Sequence, residues 1–182
     1  MTHTVDQTLP AVQQKAIYGF ISVVHVPDLG HCGGLLLLSE LGRPVEFHCT
    51  APVAENRAQK ILYGETFESF LYCDQIGLAL TDKAKFNPQI ILTDSPLILP
   101  LNDLIQAPVV LVEQDDADDP SFEDQEFDRF HVGRQAFRAQ GMGSQPLEHA
   151  KKLCANFAIK LPLDEPFERI RSAIEEAQSV AR

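Results

Sequence analysis

Histidine, cysteine, aspartate and serine side chains can do chemistry, and this sequence gathers them at a few places. Two His-Cys dipeptides bracket one stretch, HCGGLLLLSELGRPVEFHC, with His31-Cys32 at its start and His48-Cys49 at its end. Four such ligands meeting at one point would suit zinc, which takes tetrahedral nitrogen and sulfur sets at about 2.0–2.3 Å. The stretch between them reads as a hairpin, with Gly42 in the left-handed position of a short loop. If Ser39 stands opposite Arg43, then Leu35 faces Phe47, Leu37 faces Val45 and Gly33 faces Cys49. Side chains alternate between sheet faces, so His31 falls with Cys49 on one face and Cys32 with His48 on the other. The ligands are split two and two, and no metal site is expected; a register slip of one residue would regroup them.

Acids and a histidine supply a second set of candidates. Asp94 ends a short apolar run, QIILTD, and Ser95-Pro96 follows it. If that run is a parallel strand, Asp94 stands where open α/β sheets gather ligands. His25, at the end of the first apolar run, could reach Asp94, and Ser95 beside them would give part of a hydrolase triad. The strained G-x-S-x-G turn of such hydrolases is absent. Asp74 falls inside the helical stripe formed by Phe67, Phe70, Leu71 and Leu78, where a charge needs a partner. Glu46 and His48 complete the list of groups able to join Asp94 around a divalent ion. Gly33-Gly34, inside a strand, reads as a bulge or as a point where a ligand or partner strand comes close.

The elements that must position these groups follow from periodicity. Residues 15–26 are apolar at both parities, as in a central strand covered on both faces. Pro27-Asp28-Leu29-Gly30 is a turn, and strands over 32–39 and 43–50 complete an antiparallel meander. Pro52 suits the first position of a helix, with Ala54, Ala58, Ile61 and Leu62 as its buried stripe and Gly64 as its cap. A second helix starts at Thr66, and Gly77 ends or bends it. Strands over 89–94 and 107–113 flank a short helical turn at 101–106. The remainder, over 129–182, reads as helical.

Right-handed crossovers place the last two strands parallel to the first, on its free side. The expected fold is a single α/β domain over 15–182, behind a loose lead-in over 1–14. Its mixed five-stranded sheet has the order 3-2-1-4-5, with helices on both faces. This order of elements is similar to the ribonuclease H-like arrangement. That resemblance implies an acid on the first strand, whereas this strand offers Ser22 and His25.

Charge narrows the function. The net charge is −11, which disfavours nucleic acid and anionic lipid as partners. No apolar run reaches the roughly 20 residues of a spanning helix, and four scattered cysteines fit reduced thiols in a cytoplasm. Nine carboxylates and no Lys or Arg occupy 113–128, which reads as an acidic connector. Between Arg129 and Lys152 stand five cations and one acid; there Arg134 and Arg138 could hold an acidic ligand or partner, or a nucleic acid if any binds. Segregated charge orients partners, and no catalytic set is complete. The expectation is therefore a non-enzymatic cytoplasmic module working through protein contacts, as a homo-oligomer or a subunit of a larger assembly, without a cofactor. The alternatives are a divergent metal-dependent hydrolase or nuclease using Asp94 with Asp74, Glu46 or His48 and Mg²⁺ or Mn²⁺, and a small-ligand sensor built around Ser95 and Gly33-Gly34.

Overall fold

The computed structural model describes residues 16–113, 127–158 and 162–180. The lead-in over 1–14 and most of the acidic connector lie outside the described residues. Strands β1 (Ile17–Val26), β2 (Gly30–Ser39) and β3 (Pro44–Cys49) form the antiparallel meander. Strands β4 (Ile90–Thr93) and β5 (Val109–Val112) add to the free side of β1 in parallel. Both short strands are buried along their whole length, as sequence apolar at both parities requires.

The sheet then continues past the five expected strands. Strands β6 (Phe127–Val132) and β7 (Gln135–Gln140) form a hairpin whose second strand pairs antiparallel with β5. The order is β3-β2-β1-β4-β5-β7-β6. The helical reading of 129–182 is corrected accordingly: its first part is strand, and helix begins only at Ser144. A two-residue Gly133-Arg134 turn closes the hairpin, with Gly133 at φ 62°, as two-residue hairpin turns demand. Phe130 and Phe137 stack across it at 5.1 Å.

Helices cover both faces. On one side α4 (Ser144–Ala158) and α5 (Asp164–Val180) bury Phe157, Phe167 and Ile170 against Tyr18, Phe20, Leu36 and Leu92. On the other, α1 (Arg57–Tyr63) leads into a helical rod: a 3₁₀ turn at Gly64–Thr66, α2 (Phe67–Ser69), a π-helical stretch at Phe70–Gly77 and α3 (Leu78–Lys83). This rod and a 3₁₀ segment at Pro96–Asp103 bury Ile76, Leu80, Ile98 and Leu101 against Ile21, Leu35, Leu37 and Ile91. Among the described residues no helix is long and apolar enough to cross a membrane.

Two elements depart from their expected positions. Residues 50–53 do not start a helix: Thr50 donates its N–H to the Gly33 carbonyl, and Val53 exchanges both backbone bonds with His31. The chain thus stays extended along β2, and Pro52, lacking an N–H, is tolerated on that edge. Asn56 caps α1 instead, its side chain accepting from the Ala58 N–H. The stripe expected to be buried is left in solvent, with Ile61 73% and Leu62 83% exposed. Asp74 is also exposed. A π-helix advances each side chain by less than the 100° of an α-helix, and this turns Asp74 off the apolar face while the helix runs on through Gly77.

The Gly33-Gly34 pair is a close approach rather than a bulge, and what approaches is the protein itself. A Cβ on Gly33 would stand 2.2 Å from Ile76 Cγ2; one on Gly34 would stand 2.5 Å from Ile170 Cγ2. Each face of the sheet therefore receives a helix at adjacent residues of one strand. The expected ligand or partner contact at Gly33 and Gly34 is corrected, because no space is left there. The bulge lies farther along, where Leu37 pairs with Glu46 but Leu38 pairs with Pro44, leaving Val45 as the extra residue.

That bulge slips the register and regroups the His-Cys pairs. Gly34 now faces Cys49, and Leu35 faces His48. Both histidines share one face of the hairpin and both cysteines the other, so the four still cannot converge. All four cysteines of the chain are free.

Candidate active site

The parallel pairing of β1 with β4 sets Ile21 beside Thr93, and so brings Ser22 beside Asp94. Both face the layer of α5. The Ser22 hydroxyl donates to Asp94 Oδ2 at 2.8 Å, and Arg171 Nη1 of α5 donates to the same oxygen at 2.7 Å. Ser22 is 1% exposed, while the Arg171 side chain keeps 35% of its surface in solvent. Burial pushes the Asp94 carboxyl above its ordinary pKa, against the opposing pull of the Ser22 hydroxyl and the Arg171 charge. The result is a desolvated carboxylate held between a hydroxyl and a guanidinium, directly after β4 and beside the middle of β1; the carboxyl end of a parallel strand is where ligands of open α/β sheets bind.

The other acid at this end of the sheet follows the same plan. Glu113, directly after β5, is 5% exposed. It accepts from Arg129 Nε at 2.9 Å and is ion-paired with Arg138. Arg138 gives its Nε to Glu113, and Arg134 stands exposed in the hairpin turn.

The remaining sequence candidates do not join Asp94. Glu46, on the edge strand β3, accepts from the His48 ring at 2.6 Å and from the Lys85 backbone N–H at 3.0 Å. This pins the loop after α3 to the sheet edge. Asp74 is exposed on the rod. His25 alternates to the face opposite Ser22 and meets the ring of His31 at 5.1 Å, which in turn lies 5.5 Å from Tyr72. Ser95 takes a helix-capping position: its N–H is bound by Thr93 Oγ1 at 3.1 Å, and its carbonyl accepts from Ile98. No triad forms.

Two of the buried thiols are poor nucleophiles. Burial pushes Cys73 up to about 11 and Cys154 up to about 12, far from the thiolate a nucleophile requires.

A divalent ion of the Mg²⁺ or Mn²⁺ kind takes about six oxygen ligands, several of them anionic. Asp94 brings one carboxylate, with one oxygen already shared by a hydroxyl and a fixed cation. Among the described residues no three His, Cys, Asp or Glu side chains could hold one ion. Among the described residues the donor set does not fit a metal.

Arg171 went unnoticed in the sequence. Its signal was its place in α5, four residues after Phe167 and next to Ile170, which sets a long cationic side chain at the border of the buried stripe.

No family of known sequences matches the chain, nor does any curated protein. Solved structures do match in fold. Human endonuclease V is 18% identical, covers 93% of this chain over 88% of its own, and superposes with a TM-score of 0.51. Endonuclease V of Ciona intestinalis, solved with a 24mer DNA containing an inosine followed by a ribo-adenosine, is 12% identical over 92% of this chain and 89% of its own, with a TM-score of 0.56. The chain therefore has the ribonuclease H-like α/β fold of these nucleases, with the expected class of mixed sheet and helical layers.

Two expectations fall with this finding. A non-enzymatic interaction module is set aside, since the solved structures that share this fold are endonucleases. Net charge no longer argues against nucleic acid, since a protein of this fold was solved on DNA. The physical reason is that nine carboxylates over 113–128 dominate the −11, and a sum over the chain describes no single surface.

Proposed function

We propose that this chain is a divergent nuclease of ribonuclease H-like topology, with its working surface at the carboxyl end of β4, beside the middle of β1, and a nucleic-acid strand as its partner. One observation supports the reading above others: almost the whole chain follows the endonuclease V fold, and Asp94 stands at the ligand-receiving end of that sheet. Arg171 carries a charge it does not lose and donors beyond the one given to Asp94, so it can meet a backbone phosphate. Asp94 fixes that guanidinium, and the Ser22 hydroxyl fixes Asp94. A carboxylate with a raised pKa accepts a proton from attacking water better than an ordinary one, which gives Asp94 the role of general base: the water oxygen bonds phosphorus, the P–O bond to the leaving nucleoside oxygen breaks, and that oxygen takes a proton from solvent. Four unpaired thiols fit a reducing, cytoplasmic setting.

The test is incubation of the purified protein with end-labelled single-stranded DNA, duplex DNA and RNA, including inosine-containing strands. Cutting is expected, with Asp94→Asn slower by about a hundredfold or more. A wild-type protein that neither retains nor cuts any strand sinks the reading.

A further inference from the structure

Asp94 and Glu113 are the acids at the carboxyl ends of β4 and β5, and each is already matched by arginine within the chain. At Asp94 the match is rigid. Arg171 sits on α5 directly after Ile170, which is seated in the notch left by Gly34, and it shares one carboxylate oxygen with a fully buried serine. In the ribonuclease H-like arrangement the first strand supplies an acid; here it supplies Ser22, a neutral donor pointed at the remaining acid. At Asp94 one carboxylate is then balanced by one guanidinium.

We propose that Arg171 is the resident cation of this site: its guanidinium takes the place of a divalent ion at Asp94, and its remaining N–H groups receive a nucleic-acid phosphate without any metal. Beyond Ser22 on the same face of β1, Val24 and Val26 with Ile174, Glu175, Gln178 and Ser179 of α5 line a cavity of about 290 Å³. It lies about one helical turn along α5 from Arg171. The proposal rests on the nucleic-acid reading for its ligand, but its claim about the metal is tested separately.

Thermal melting compares the protein in EDTA and in millimolar Mn²⁺, since an ion that binds the folded state raises the midpoint. The wild-type midpoint is expected to be the same in both. The Ser22→Asp/Arg171→Gln variant, which pairs two carboxylates and removes the cation, is expected to gain a Mn²⁺-dependent rise. In parallel, a fluorescent oligonucleotide is titrated in EDTA and in Mg²⁺. Equal Kd values are expected, together with binding weakened about tenfold or more in Arg171→Gln, as loss of a charged hydrogen bond implies, and partly restored in Arg171→Lys.

The proposal is overturned if Mn²⁺ raises the wild-type midpoint and Asp94→Asn abolishes that rise, if oligonucleotide binding requires the divalent ion, or if Arg171→Gln binds as the wild type does. Should no oligonucleotide bind at all, the nucleic-acid reading fails while the wild-type melting comparison still decides whether the site takes a metal. That comparison also decides alone if the double variant does not fold.

Discussion

At the scale of single residues, the two carboxylates at the ligand end of the sheet have opposite consequences for stability. A carboxyl whose pKa is raised by folding binds its proton more tightly in the folded state. Its contribution is fullest below the ordinary value of 3.8 and is lost as pH rises through the raised value. The unfolding free energy of the wild type minus that of Asp94→Asn should therefore decline with rising pH above 3.8, as read by urea titrations across that range; a flat difference would mean that Ser22 and Arg171 offset burial completely. Glu113 is the structural member of the pair. Replacing it with Gln leaves two guanidiniums without their anion. The side chain is 3% exposed, whereas its partner Arg129 is 51% exposed, so the expected loss is about 2–3 kcal/mol, toward the lower end for a broken buried pair. The midpoint of a urea melt measures it. Neither role was legible in advance. Glu113 looked like the first member of an acidic run, and only the antiparallel return of β7 past β5 brings Arg138 to it.

Among the elements, the tightest packing lies where the rod and α5 meet β2. Gly33→Ala and Gly34→Ala should each destabilise by about 1–3 kcal/mol through overpacking, because the nearest atoms are branched methyls of Ile76 and Ile170 at 2.2 and 2.5 Å. Ile76→Leu should relieve the first and Ile170→Leu the second, since leucine has no Cγ2; a double-mutant cycle in chemical denaturation would show positive coupling within each pair and none across them. Sequence periodicity placed β1, β4 and β5 correctly because short β-branched runs, apolar at both parities and bounded by turn residues, suit strands covered on both sides. It failed where the local period changes. The π-helical stretch moves Asp74 out of a stripe drawn at 100° per residue, and Val45 shifts the hairpin register by one. The hairpin over 127–140 was missed because its apolar residues are sparse: Phe130, Phe137 and Ala139 carry the buried face.

For the whole molecule, the order of elements was enough to reach the ribonuclease H-like arrangement, since three meander strands followed by parallel crossovers leave few right-handed topologies. The proposed function was not legible, because chain-wide charge and incomplete motifs describe the average surface, whereas the proposed site is one carboxylate, one hydroxyl and one guanidinium drawn from residues up to 149 positions apart in the chain. The same topology poses a problem of reading frame. Leu35 to Leu38 are buried on both faces, so shifting β2 by one residue against its neighbours would leave these leucines facing apolar layers, and composition alone cannot tell the frames apart. The two adjacent notches can. Shifted one way, Cys32 would enter the space Ile76 fills; shifted the other way, Leu35 would enter the space Ile170 fills. A pair of glycines set against two helices thus works as a vernier, rejecting either misaligned frame of a strand whose leucines would accept both.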